Sequence, residues 1–262
     1  MIKQKTQALV DRFAGILATW DCVECITLNE AAIGDTNDPY FALILDVFVS
    51  EPPPLPETRC RLFGPDVLAF ESASPEAKDR FLIGDIPVRL EYKPVSKIDE
   101  LVSIADRRTD MLWLIRHSGT YTFYRLAFGD LVFSRSGWIG GIRERLARLP
   151  DIFWQQMRQA AQSKMEHFLS DLGAAAFQGD QFHYLLASAG FIKTACLTLF
   201  CANARFEPSH RAYQKQILQL PLLPEGFAAQ LDNFFGTEAE LPLERRFALA
   251  KLLAKGIVAL RP

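Results

Sequence analysis

Apolar and polar residues follow each other in two rhythms along this chain, and the change of rhythm divides it. Behind a polar opening, Leu9, Val10, Phe13, Ile16, Leu17 and Trp20 stand at helical spacing, which predicts an amphipathic first helix. CVECITL reads as a short β-rich run, and NEAAIGDTNDP as a turn-rich connection whose last proline resists helix. From Tyr40 to Val49 the residues are almost continuously apolar, with β-branched and aromatic types, the pattern of a strand covered on both faces. That run ends at EPPPLPE, which lacks the N–H donors a ladder needs and reads as a stiff surface excursion. In IPVRLEY, Ile86, Val88 and Leu90 alternate with Pro87, Arg89 and Glu91, so Glu91 falls on the face opposite the apolar set. A helix with Ile98, Leu101, Val102 and Ala105 follows from about Ser96.

Beyond about residue 110 the pattern predicts helices and no strand. Segments 151–171, 180–202, 208–220, 224–235 and 239–259 show helical periodicity, separated by Gly or Pro at Gly173, Gly179, Pro208, Pro221, Pro224, Gly236 and Pro242. SGWIGG and LPD interrupt the pattern between Gly137 and Asp151. The expected organisation is α+β: a mixed sheet with flanking helices over residues 1–140, then an all-helical bundle over 141–262.

Length, charge and cysteine use narrow this further. A chain of 262 residues is long enough for two domains with cores of their own. With 29 Lys and Arg against 31 Asp and Glu the formal charge is −2, so net charge gives no indication of a nucleic-acid partner. Five cysteines form no disulfide framework, which favours a reducing compartment, and the polar opening is unlike a signal peptide. Runs such as FALIL fall far short of the roughly 20 residues that span a bilayer. No membrane segment and a cytoplasmic location are therefore expected.

Two carboxylates carry the candidate chemistry. Asp46 stands inside the apolar strand LILDVFV and Glu91 inside PVRLEYK. A carboxylate in such a strand is costly unless it is paired, hydrogen-bonded or bound to a cation. If the two strands are neighbours, Asp46 and Glu91 can converge on a divalent ion, and Mg²⁺ suits one or two carboxylates plus substrate phosphate oxygens. The plainer alternative pairs Asp46 with an arginine such as Arg89 and leaves Glu91 on a wet face. Lys93 and Arg89 flank Glu91 and are candidates to meet phosphate.

The succession of opening helix, CVECITL, the connection AAIGDTNDPY, FALILDVFV and IPVRLEYK resembles the polymerase-beta-like nucleotidyltransferase superfamily over roughly residues 1–105. The helical remainder, including TACLTLFCANARFEPSHRAYQKQILQLPLLPEGF, looks like the C-terminal helical domain of bacterial aminoglycoside-type nucleotidyltransferases. The resemblance implies a nucleotidyltransferase-like mixed sheet. It also implies transfer of a nucleoside monophosphate from an NTP to a hydroxyl acceptor, with Asp46 and Glu91 as the metal-binding, catalytic carboxylates. Two parts of that pattern are replaced. Ile44 stands where the first Asp of the Asp-x-Asp pair belongs, and Leu28, Asn29 and Glu30 stand at the Gly-Ser turn. A catalytically silent relative that binds a nucleotide or a partner protein is the alternative. Asp35 and Asp38 are substitute ligands only if they do not simply shape the turn before Pro39.

Weaker signals have plain explanations. Cys22 and Cys25 form a CxxC with no second pair, and read as strand and core residues. Arg205 and His210 have the Arg-x4-His spacing of helical HEPN ribonucleases, but Pro208 between them reads as a helix start. Arg135, Arg143, Arg145 and Arg148 read as a solvated helix face.

Overall fold

The computed structural model describes residues 2–29, 42–74, 78–235 and 241–260. They belong to two units: Met1–Arg107 with Thr122–Arg148, and Arg108–Tyr121 with Leu149–Pro262. The single boundary expected between residues 140 and 141 is thus replaced by three chain crossings. The segment 108–121, which sequence pattern assigned to the first domain, belongs to the helical unit.

The first unit has the elements α1 (Ile2–Ala18), β1 (Val23–Leu28), β2 (Leu43–Val49), α2 (Pro56–Phe63), β3 (Val67–Ser74), β4 (Lys78–Ile83), β5 (Ile86–Pro94), α3 (Val95–Asp106), α4 (Tyr121–Phe128), β6 (Asp130–Ser134) and α5 (Trp138–Leu146). Its six strands form one mixed sheet in the order β3-β4-β5-β2-β1-β6. β2 and β5 run parallel, and the other neighbours are antiparallel. β2 is buried at every position, as its unbroken apolar run requires of a central strand. Leu43, Leu45, Val47, Val88, Leu90 and Tyr92 face a core shared with Val10, Phe13 and Leu17 of α1 and Phe63 of α2. Period-two alternation sends Ile44, Asp46, Phe48, Arg89, Glu91 and Lys93 to the other face.

Three strands escaped the sequence pattern. β6 overturns the expectation that no strand follows residue 110: its five residues are too short to show a period, and none is fully buried. β3 forms the other edge and pairs with β4, where a register shift accompanies a left-handed Ala69 (φ 51°). The proline cluster is also more than a surface excursion, because Pro56 opens α2 with its fixed φ and missing donor.

The helical unit comprises α6 (Asp151–Gln178), α7 (Gln181–Ala202), α8 (Tyr213–Ile217), α9 (Phe227–Phe235) and α10 (Leu243–Ala259), with 3-10 turns at Thr109–Leu114 and His210–Ala212. α6 stops at Gly179, which adopts the left-handed conformation a C-cap glycine supplies (φ 67°), and Asp180 then caps α7 by accepting from the His183 N–H. Gly190 leaves room for the Phe168 ring, which a Cβ there would approach to 2.4 Å. α7 is long and apolar enough to cross a membrane by length and composition, contrary to the reading that every apolar run is too short. Most of it is buried in the core it forms with α6, α9 and α10.

Glu207 ties the segment 108–121 into this unit. It is 5% exposed, its Oε1 accepts the Thr120 N–H at 3.1 Å, and its Oε2 accepts the Tyr213 hydroxyl. The Glu207 N–H donates to Thr120 Oγ1 at 2.7 Å. Gly119 (φ 76°) is required at the approach, since a Cβ there would lie 2.1 Å from Glu207 Oε1.

Candidate functional site

The parallel register of β2 and β5 sets Asp46 directly opposite Glu91. The antiparallel register of β1 places Thr27 on the other side of Asp46. Asp46 is 1% exposed, so its charge needs compensation within the protein. Arg125 supplies it: Nε donates to Oδ2 at 2.8 Å and Nη2 to Oδ1, a two-pronged grip that matches the planar fork of the guanidinium to a carboxylate. The same Nη2 lies 2.9 Å from Glu91 Oε2. Lys93, two residues beyond Glu91 on the same face, brings Nζ to 2.9 Å from Asp46 Oδ1 and 3.9 Å from Glu91 Oε2. Lys78 Nζ and Arg89 Nη1 stand 4.0 and 3.9 Å from Glu91 Oε1.

Local structure explains why Arg125 is there. It lies in the last turn of α4, after which Gly129 turns the chain into β6 beside β1. Gly129 fits because a Cβ would meet the Arg125 carbonyl at 2.7 Å and Thr27 Oγ1 at 3.2 Å. Arg143 of α5 braces this corner by donating to the carbonyls of Leu126, at 3.1 Å, and Gly129. Trp138 of α5 covers part of the same sheet face, its ring against Phe48 and its Nε1–H donating to Asp99 at 3.1 Å.

The electrostatics are those of a closed ion cluster. Burial acts to raise the Glu91 carboxyl, but Arg125 and Lys93 outweigh it and hold the group below the usual glutamate range. Burial and the neighbouring Arg125 charge push Lys93 below its ordinary value against the opposing pull of Asp46.

The structure thus brings Asp46, Glu91 and Lys93 together and adds a residue the sequence did not single out. The arginine on Asp46 is Arg125, distant in sequence, and not Arg89. Arg89 is the cross-strand neighbour of Arg80 and lines, with Arg80 and Glu71, a cavity of about 210 Å³. Glu30, Asp35 and Asp38 lie outside the described residues.

Mg²⁺ does not fit these donors as they stand. Both Asp46 oxygens are engaged by cationic side chains, Ile44 occupies the next position along β2 on this face, and no group of three His, Cys, Asp or Glu suited to a metal occurs among the described residues. An incoming ion would have to displace a guanidinium and an ammonium from a buried carboxylate.

No family model matches the sequence, and no curated protein matches it. Among solved structures, the chain is similar to a nucleotidyltransferase-like protein from Exiguobacterium sibiricum, at 11% identity and a TM-score of 0.49, over 98% of this chain and 74% of that one.

The other sequence signals prove structural. All five cysteines are free, and burial pushes the Cys25 thiol up to about 12, so it is inert as a thiolate. Arg135 and Arg143 do not form a solvated face: Arg135 donates to the carbonyls of Ala18, Trp20 and Val23, and Arg143 to those already named. Arg145 is paired with Asp106 at 2.7 Å. Arg205 and His210 are exposed and lie outside any α-helix.

Proposed function

We propose that this chain is a nucleotidyltransferase-like protein whose carboxylate pair has passed from holding a metal to holding cationic side chains. It binds the phosphates of a nucleotide on the same sheet face without transferring a nucleotidyl group. The observation that carries this reading is the grip of Arg125 on both Asp46 and Glu91, with Lys93 beside it. Sequence order from α1 to β5 supports the nucleotidyltransferase-like descent, and Ile44 supports the loss of catalysis. Around two carboxylates stand four cations, Lys78, Arg89, Lys93 and Arg125, and Arg89 and Lys78 are the most exposed of them. That surplus attracts an anion, and phosphate oxygens accept charge-assisted hydrogen bonds from such groups.

Calorimetry of the full chain with a non-hydrolysable ATP analogue, once with EDTA and once with Mg²⁺, tests the reading. Equal affinity in both conditions is expected, weakening with salt and falling at least ~10-fold in the double variant Lys78→Gln, Arg89→Gln. Binding only with Mg²⁺, lost in Asp46→Asn and accompanied by pyrophosphate release with a hydroxyl acceptor, would establish the Mg²⁺-dependent transferase instead. Absence of binding in both conditions would remove the nucleotide and leave the partner-protein alternative.

A further inference from the structure

The helical unit holds a polar cavity of about 520 Å³ between α6 and the turn that follows Thr109–Leu114. Its volume is that of a small-molecule site. Residues three and four apart share a face of a helix, and α6 carries two such stripes side by side. Phe153, Met157, Ala161 and Met165 are buried, whereas Gln155, Gln156, Gln159, Ser163 and Lys164 line the cavity. Arg116 and His117 close it from the turn, and Lys164 ties the turn to α6 by donating from Nζ to the His117 carbonyl at 3.1 Å. Lys164 and Arg116 thus serve one cavity, and among the described residues neither has a carboxylate partner. None of the described lining residues is acidic: Asp151, Glu166 and Asp171, the acids of α6, all lie outside it. Two cations in one concavity with no counter-charge attract an anion.

We propose that this cavity binds a sugar phosphate, its phosphate between Arg116 and Lys164 and its hydroxyls along Gln155, Gln156, Gln159 and Ser163. Side-chain amides and hydroxyls both donate and accept, as sugar hydroxyls do, and these four make no side-chain hydrogen bond among the described residues. Inorganic phosphate would fill only a fraction of this volume. An apolar ligand would find only Ile152 and Ala160, and no Phe, Tyr or Trp among the described lining residues offers a nucleobase a ring to stack on. The site lies wholly in the helical unit and does not depend on the reading proposed for the sheet face.

Calorimetry of the full chain at low salt with glucose 6-phosphate and ribose 5-phosphate tests this, with glucose and inorganic phosphate as controls. At least one sugar phosphate is expected to bind one to one, and both controls at least ~10-fold more weakly. Arg116 is exposed and has no partner to lose, so Arg116→Gln should unfold at an unchanged temperature and bind that sugar phosphate ~10-fold more weakly. Lys164→Gln should weaken binding similarly. Gln159→Leu should weaken the sugar phosphate and leave inorganic phosphate unaffected. The double variant Lys78→Gln, Arg89→Gln strips the sheet face and should leave this affinity unchanged, so the two sites fail separately. Full affinity in Arg116→Gln, inorganic phosphate bound as tightly as the sugar phosphates, or no binding of either sugar phosphate would each overturn the proposal. So would a uridine oligonucleotide bound more tightly than either sugar phosphate and lost in Arg116→Gln, because the cavity would then be part of an RNA surface.

Discussion

Arg59 shows how much a single side chain carries in the first unit. It is fully buried, donates to Asp79 through Nε and Nη2 at 2.7 Å each, to Ser72 Oγ at 3.1 Å and to the Pro54 carbonyl. Its guanidinium lies 5.0 Å from the Tyr92 ring centre, and the Tyr92 hydroxyl donates to Asp79 at 2.8 Å. Breaking such a pair leaves an uncompensated buried charge, so Arg59→Leu should cost about 3–5 kcal/mol in urea unfolding. The double variant Arg59→Met, Asp79→Leu should recover most of that loss, because no lone charge remains. Glu91 predicts a pH effect. Its folded-state value lies below the ordinary 4.5, so the stability it contributes is present above 4.5 and is lost as pH falls through the lower folded value. Urea titrations between pH 6 and pH 3 should show a steeper acid loss for the native chain than for Glu91→Gln. Asp46 and Glu91 were legible in the sequence because charge inside an apolar strand stands out. Arg125 was not, because TYTFYRLAF is an ordinary amphipathic helix whose arginine acquires its role only when β2 and β5 pair.

Among elements, legibility follows burial. β2 and β5 were plain from their unbroken or alternating apolar positions, and the helices at 181–202, 227–235 and 243–259 follow the predicted periodicity, whereas α6 runs through Gly173 to Gln178 and the helix expected over 208–220 is a 3-10 turn followed by the short α8. The edge strands were not plain, since β3 and β6 each face solvent on part of both sides and mix a charged residue with apolar ones. Edge strands of this kind are specified by their neighbours: β6 forms because β1 offers it a free ladder, and Arg143 holds the corner that delivers it. The membrane-length apolar run of α7 was missed for a related reason. Small and weakly polar residues such as Gly190, Ser188 and Thr194 interrupt it on paper, while Ser188 and Thr194 hand their hydroxyls back to the Tyr184 and Gly190 carbonyls of the preceding turn, at 2.7 and 2.8 Å.

For the molecule as a whole, the decisive feature is that the helical unit is discontinuous. Residues 149–262 produced alone lack Leu112, which is fully buried, and leave the Glu207 carboxylate without the Thr120 N–H. That fragment should unfold with a broad, weakly cooperative urea transition and bind a hydrophobic dye, whereas residues 108–262 should unfold with a sharp transition, as near-UV circular dichroism would show. The same discontinuity imposes a schedule on synthesis. Thr120 leaves the ribosome 87 residues before the carboxylate that receives it. At about 5–20 residues per second its segment therefore waits roughly 4–17 s for its place in a core that does not yet exist. During that interval Leu112, fully buried in the folded unit, has no core to enter and stays exposed to solvent, so 108–121 is a segment on which a chaperone would act.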